Sequence, residues 1–293
     1  MKKCFILAEI FFIFIIWQNQ QICNENGPLF EQFNPTNAMS NLETQVSFGP
    51  RYPGSSGHQK EIAWIQNQLT RMGWKTEEQS FFYQKMKITN ILAKSNSNGK
   101  LILIGAHYDT RQYADQDPNI ENRNSPVPGA NDGASGVAVL LELARILVKD
   151  HRNIYWLMFF DAEDQGQIQG WDWIIGSSHF VQTLDIKPDD VLIVDMIGDQ
   201  NLNIYKEGFS EQTIQSELWK SASNLGYLNY FKPEIKYFMI DDQKPFFDKG
   251  MSSALLIDFE YPFWHTTADT IDKISQTSLQ IVGSTILDWI KSK

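Results

Sequence analysis

Leu101-Ile-Leu-Ile-Gly-Ala-His-Tyr-Asp109 and Ile154-Tyr-Trp-Leu-Met-Phe-Phe-Asp-Ala-Glu-Asp164 decide the fold. Each opens as an unbroken apolar run of strand length and ends in acids, the first also in an imidazole. A strand without polar alternation is buried on both faces, the condition of parallel strands covered by helices. Val191–Val194 and Ala254–Ile257 repeat the pattern. Between the runs lie helical periodicities at Ala134–Lys149 (Val137, Leu140, Leu141, Ala144, Leu147), Glu211–Leu225 and Ser275–Ile290. This alternation predicts an α/β protein, a three-layer α/β/α sandwich with a mixed, mainly parallel central sheet.

Upstream, Gly57–Met72 reads as a helix with Ile62, Ile65 and Leu69 on one face and Gly73 as its stop. Gln79–Tyr83 and Ile88–Ala93 read as an edge hairpin, followed by a turn cluster at Asn96–Gly99. Gly27–Pro53 is a polar, proline-containing segment. No repeat or linker interrupts the chain, so 24–293 is expected to be a single catalytic domain. Lys2 and Lys3 precede a mostly apolar stretch, Phe5–Trp17, interrupted by Glu9 and followed by polar Gln18–Gln21. Residues 1–23 therefore read as a signal peptide or signal anchor, too short for a comfortable span. The chain is expected in the secretory pathway or secreted, held in the Golgi or at a membrane if the leader stays, with no stable membrane span after cleavage. The two cysteines, Cys4 and Cys23, lie in or at the end of that leader, which excludes an internal disulfide and cysteine catalysis.

At 293 residues with 42% hydrophobic composition, the chain can bury a sizeable core. A net charge of −10 without a basic stripe argues against nucleic acid. In open α/β sheets, ligands bind beyond the carboxyl ends of the strands. There the sequence delivers His107 and Asp109, then Asp161, Glu163 and Asp164, then Asp195, then Asp258 and His265. Asp132 stands just before the first helix of the alternating region. Singly, these residues have ordinary readings: Asp132 as a helix cap, Asp161 and Asp195 as turn acids, and His58, His151 and His179 as surface or core residues. Together on one rim, the acids would repel strongly without a cation. Imidazole nitrogens with carboxylate oxygens and no thiolate suit catalytic zinc, whereas calcium would take more oxygens and no histidine. In the Glu163-Asp164 pair, one carboxylate can bind metal while its neighbour moves a proton. Asp109, two residues from His107, is placed to orient that ring.

These residues resemble the zinc-dependent exopeptidase family that holds both di-zinc aminopeptidases and glutaminyl cyclases. The resemblance runs from about Arg51 to the C-terminus. It rests on Gly-Ala-His107-Tyr-Asp109, Asn131-Asp132-Gly-Ala-Ser-Gly-Val, Phe160-Asp-Ala-Glu163-Asp164, Asp195-Met-Ile-Gly198, Asp241-Asp242-x-x-Pro245-Phe246 and Trp264-His265-Thr-Thr-x-Asp269-Thr. It implies a zinc aminopeptidase-like fold. In the aminopeptidases, positions matching His107, Asp132, Asp164, Asp195 and His265 hold two zincs, with Asp132 bridging and Glu163 activating a water. In the cyclases, Asp132, Asp164 and His265 would hold one, leaving His107 and Asp195 beside it. The Asp241-Asp242-x-x-Pro-Phe loop and the tryptophan before His265 look more cyclase-like. Animal cyclases carry Glu where this chain has Asp164, and a cysteine pair that is missing here; Gln165–Ile175 looks more like microbial relatives. The resemblance therefore implies a one-zinc acyltransferase acting on peptides or proteins with N-terminal Gln; the chain is expected to be a monomer. Glu163 would shuttle the proton within a network of Asp195 and Asp241. Trp264 would pack on substrate, and Tyr261 with Trp171 or Trp173 would complete an aromatic wall; ordinary core packing suits Trp173 better than Trp264. The runner-up is a di-zinc aminopeptidase.

Overall fold

The apolar runs become the inner strands of one six-stranded sheet. The computed structural model describes residues 31–293, so the expected leader lies outside the described residues. The chain divides into Met1–Gln32 and Phe33–Lys293, and every element below belongs to the second unit. The strands are β1 (Lys75–Tyr83), β2 (Met86–Lys94), β3 (Leu101–His107), β4 (Ile154–Phe160), β5 (Asp190–Asp195), β6 (Ile204–Glu207), β7 (Phe231–Tyr237) and β8 (Ser253–Ile257). The sheet order is β1-β2-β4-β3-β5-β8, with β6 and β7 forming a separate parallel pair. β3, β4, β5 and β8 run parallel, and the β1–β2 hairpin joins β4 antiparallel, as the hairpin reading requires.

The helices are α1 (Pro35–Ser47), α2 (Ser56–Met72), α3 (Ala134–Leu147), α4 (Ile175–Gln182), α5 (Gln212–Asn224), α6 (Lys244–Asp248) and α7 (Gln276–Lys291). One sheet face presents Leu103, Met158, Phe160, Ile193 and Leu255 to Phe180 of α4 and Phe246 of α6. The other face is covered by α3, which packs on β3, β4 and β5 and is itself enclosed by α1, α2 and α7. Such a helix is apolar all round, and every residue of α3 except Arg145 is buried. Gly136 lets it close on the sheet: a Cβ there would lie 2.7 Å from Val194 O and 2.9 Å from the Ala106 Cβ. Each leucine buried in these layers contributes about 1.5–3 kcal/mol.

α1 lies within the segment read only as polar and proline-containing, because its helical stripe carries a single large buried apolar residue, Leu42. Asn34 caps it, accepting from Thr36 N and Asn37 N, and Pro35 occupies its first turn. Its buried residues are only Ala38, Leu42 and Gln45, so packing on α3 and α7 rather than local pattern holds it. β6 and β7 escape the pattern too, because β7 is mostly exposed and contains Pro233. Among the described residues, no helix is long and apolar enough to cross a membrane.

Strand register sets up the site. His107 pairs with Phe160 across β3–β4, Gly105 with Ile193 across β3–β5, and Asp195 with Ile257 across β5–β8. The four carboxyl ends are therefore level, and the loops beyond them open on one rim.

Candidate metal centre

His107 and Asp195 end β3 and β5, Glu163 and Asp164 follow β4, and His265 follows β8. Asp132 precedes α3 but does not cap it: Gly133 holds that position, at φ 93° and without a side-chain cap bond. Two trios share Asp132, namely His107–Asp132–Asp195 and Asp132–Asp164–His265. In the first, His107 Nε2 lies 3.0 Å from Asp195 Oδ1 and 3.2 Å from Asp132 Oδ1. In the second, His265 Nε2 lies 2.8 Å from Asp164 Oδ1 and 3.7 Å from Asp132 Oδ2. Ala162 (φ 55°), Met196 (φ 46°) and His265 itself (φ 54°) adopt left-handed backbone. Such conformations cost non-glycine residues about 1–3 kcal/mol each and collect where geometry is held for a purpose.

Buried groups that the sequence left in the background hold the loops. Asp109 accepts from Glu163 N (2.9 Å), Asp164 N (3.3 Å) and Gln165 Nε2 (2.9 Å), fixing the turn after β4. Its Oδ1 is 3.6 Å from His107 Nδ1, so its chief task is the turn rather than the ring. Asp269 does the same for the Asp132 loop, accepting from Asn131 N, Asp132 N and Tyr261 Oη. Arg51 donates to the carbonyls of Pro128 and Gly129 and pairs with buried Glu61 at 2.6 Å. Arg111 donates to Asp164 O and Gly166 O and grips Asp115 through Nε and Nη2. Asp115 Oδ1 in turn lies 3.4 Å from His265 Nδ1. Sequence reading missed Arg111 and Asp115, which lie in a loop without periodicity.

The electrostatics call for a cation. Burial pushes Glu163 well above the usual carboxylate range; His107 draws it partly back, and Asp164, Asp241 and Asp242 push it up again. Burial and then Asp132 raise Asp164 to about 6, and burial raises Asp242 to about 7. Asp241 is driven well up by burial and by Asp195. His265 rises to about 9 against burial, chiefly through Asp164. Asp132 Oδ2, Asp164 Oδ2 and the Nδ1 atoms of His107 and His265 are buried without a hydrogen-bond partner. A buried unpaired polar atom costs about 1–3 kcal/mol, and more if charged. A metal ion relieves the carboxylate oxygens and the like-charge repulsion together. Imidazole and carboxylate donors without thiolate fit zinc.

Asp132, Asp164 and His265 line a cavity of about 200 Å³ with Glu163, Asp195 and Asp241. Its apolar wall is Trp173, Met196, Met239, Ile240, Ile257, Phe259 and Trp264. The His265 ring stacks with Trp264 (centroids 3.7 Å) and lies parallel to Trp173 (6.0 Å), and the Arg111 guanidinium lies 4.8 Å over Trp173. Two expected wall residues lie elsewhere. Trp171 packs against Tyr83 and lines a different cleft with Tyr52, Pro53 and Met86. Tyr261 is buried and spends its hydroxyl on Asp269, and of the two tryptophans offered for the wall it is Trp173 that lines the cavity. Asp161 is structural: it pairs with His58 at 2.8 Å and accepts from Thr89 N. His179 stacks on Phe81, and His151 is exposed.

Residues 89–290 match the model of peptidase family M28. Aminopeptidase YwaD of Bacillus subtilis is 27% identical over 209 residues, covering 66% of this chain and 41% of that protein, so the match spans less than half of that relative. Glutaminyl-peptide cyclotransferase of Gloydius blomhoffii is 26% identical over 281 residues, covering 78% of this chain and 73% of that one. Among solved structures, Bacteroides thetaiotaomicron glutaminyl cyclase bound to N-acetylhistamine superposes with a TM-score of 0.84 at 31% identity, covering 90% of this chain and 99% of that chain. A Zn-dependent exopeptidase from Parabacteroides distasonis superposes with a TM-score of 0.84 at 28% identity, covering 90% and 100%.

Proposed function

The chain belongs to peptidase family M28, and from that premise we propose that it is a one-zinc glutaminyl-peptide cyclotransferase, closing N-terminal glutaminyl residues to pyroglutamate with release of ammonia. The observation that carries this reading is the asymmetry about Asp132. Its Oδ1 is within 3.2 Å of His107 Nε2, which also reaches Asp195, so that trio can satisfy itself with protons. Its Oδ2 and Asp164 Oδ2 lack partners on the His265 side, which supports a single ion held by Asp132, Asp164 and His265. The cavity supports a small reacting unit as well. At about 200 Å³ it is below the ~300–1,000 Å³ of pockets for drug-sized ligands, and suits one residue better than a longer peptide.

Zinc held by Asp132, Asp164 and His265 would supply Lewis-acid polarisation of the substrate's side-chain amide carbonyl. Glu163 takes a proton from the α-amine as its nitrogen bonds to the amide carbon, and returns it to the nitrogen that leaves as ammonia. Its raised affinity for protons, caused by burial and neighbouring acids, suits both halves of that shuttle. Asp195 and Asp241 line the same cavity and complete the acidic network, while Trp264 and Trp173 give the glutamine methylenes an apolar wall. A leader at residues 1–23, as expected from the sequence, would bring it to peptides of the secretory pathway.

Zinc counted on the same sample as ammonia released from a Gln-initiated dipeptide tests the proposal. One zinc per chain with ammonia is expected. Glu163→Gln should keep its zinc and lose about 10²–10⁴-fold in rate, the usual contribution of a positioned acid–base group. Two zincs with free leucine released from leucyl amide would instead assign the di-zinc aminopeptidase, with His107 and Asp195 on the second ion. The name of the Bacillus relative favours that outcome.

A further inference from the structure

The cavity takes one residue, so the peptide that follows must leave through its mouth, and one side of that mouth is exposed and apolar. Ile240 lines the cavity and is still 63% exposed. Two residues before it, Phe238 is 66% exposed, and Phe247 is 43% exposed. The two belong to one platform, for both contact Phe209, with ring centroids 5.5 and 5.4 Å apart. The Phe238 ring lies against Gly208, where a Cβ would come within 2.2 Å of it. Met239 and Ile240, next along the chain, carry this surface into the cavity wall.

We propose that Phe209, Phe238 and Phe247 form a subsite for the second and third residues of the substrate, making the enzyme selective for glutaminyl peptides that continue with bulky apolar side chains. This rests on the cyclase reading. Exposed apolar surface of this kind marks a binding face, and its continuity with the cavity through Ile240 identifies the occupant as the peptide already held there by its first residue. An extended chain advances about 3.3 Å per residue, so the side chains that emerge first are the second and third. Charge does not redirect the choice. Lys244 lies over Phe209 (4.8 Å) and Phe247 (5.5 Å) but pairs with Asp248, which leaves no net cation to draw acidic residues.

The test compares ammonia release from Gln-Phe-Ala-amide and Gln-Asp-Ala-amide by the full chain and by Phe238→Ser and Phe247→Ser. For the parent, kcat/KM should favour the phenylalanyl peptide about tenfold, through KM, as burial of one aromatic side chain allows. Each variant should bring the ratio to within about threefold of unity, chiefly by raising KM for the phenylalanyl peptide. Equal kcat/KM for both peptides in the parent overturns the subsite while leaving cyclisation intact. So does a ratio that neither variant changes. No ammonia from either peptide removes the cyclase reading and the subsite with it. A parent that sediments as a dimer and becomes a monomer in both variants, with the two peptides equal throughout, gives the platform to a second copy instead.

Discussion

On one side of Asp132, His107 Nε2 is 3.2 Å from Oδ1 and 3.0 Å from Asp195 Oδ1; on the other, Oδ2 and Asp164 Oδ2 are buried with no hydrogen-bond partner. Each side has one histidine and one further aspartate around the shared carboxylate. The first can exist as a protonated network, with His107 held well up by Asp195, Asp109 and Asp132 against burial. The second has buried oxygens without a partner, which a cation would relieve, an Asp115–Arg111 pair behind its histidine, and two tryptophans parallel-stacked near that ring. Like residue types thus make unlike sites, and the accounting of hydrogen bonds separates them.

The sharpest way to break the comparison is to neutralise one aspartate on each side. Asp164→Asn should cost more zinc affinity than the ~10–100-fold typical of an outer partner, whereas Asp195→Asn should keep one zinc after dialysis. Equal metal loss in both, measured by elemental analysis, would abolish the asymmetry.

Next in size, Asp115→Asn should weaken zinc by about 10–100-fold in competition with a chelating dye, because it removes the carboxylate behind His265. An unchanged affinity would show that the Asp115–Arg111 pair serves only the loop.

The smallest effect concerns pH. Asp164 is raised to about 6 and Glu163 well above its usual range, so in the metal-free protein the folded state holds protons that the unfolded chain releases near pH 4. Their stabilisation is present below that pH and is lost as pH rises through about 6. His265, raised to about 9, loses its contribution in the same direction at higher pH. Zinc favours the ionised acids and neutral imidazoles. Zinc should therefore raise Tm more at pH 7.5 than at pH 5, each kcal/mol appearing as about 2–4 °C. A larger rise at pH 5, seen in calorimetry of chelated and reloaded protein, would contradict the assignment of these shifts.

Legibility from sequence followed burial. β3, β4, β5 and β8 were readable because strands covered on both faces have no polar alternation, and the rim followed because parallel strands end on the same edge. Arg111, Asp115 and the role of Asp269 were not, since loop residues that act through backbone bonds leave no periodic trace. Trp171 and Trp173 could not be told apart: Gln167, Gln169 and Ile174 around them have positive φ, so no alternation assigns a face there. Tyr261 was misjudged for a related reason, its direction being set by Asp269 eight residues away.

The amino-acid sequence by itself determined the α/β architecture, the rim where acids and imidazoles collect, and a donor set suited to zinc, because these depend on residue type and on order along the chain. Only the tertiary structure decided which oxygen of Asp132 is free and which of Trp171 and Trp173 lies at the His265 ring. Those distinctions turn on distances of a few tenths of an ångström between loops brought together from four different strands, and at that range a hydrogen bond and an orphaned oxygen differ by kilocalories.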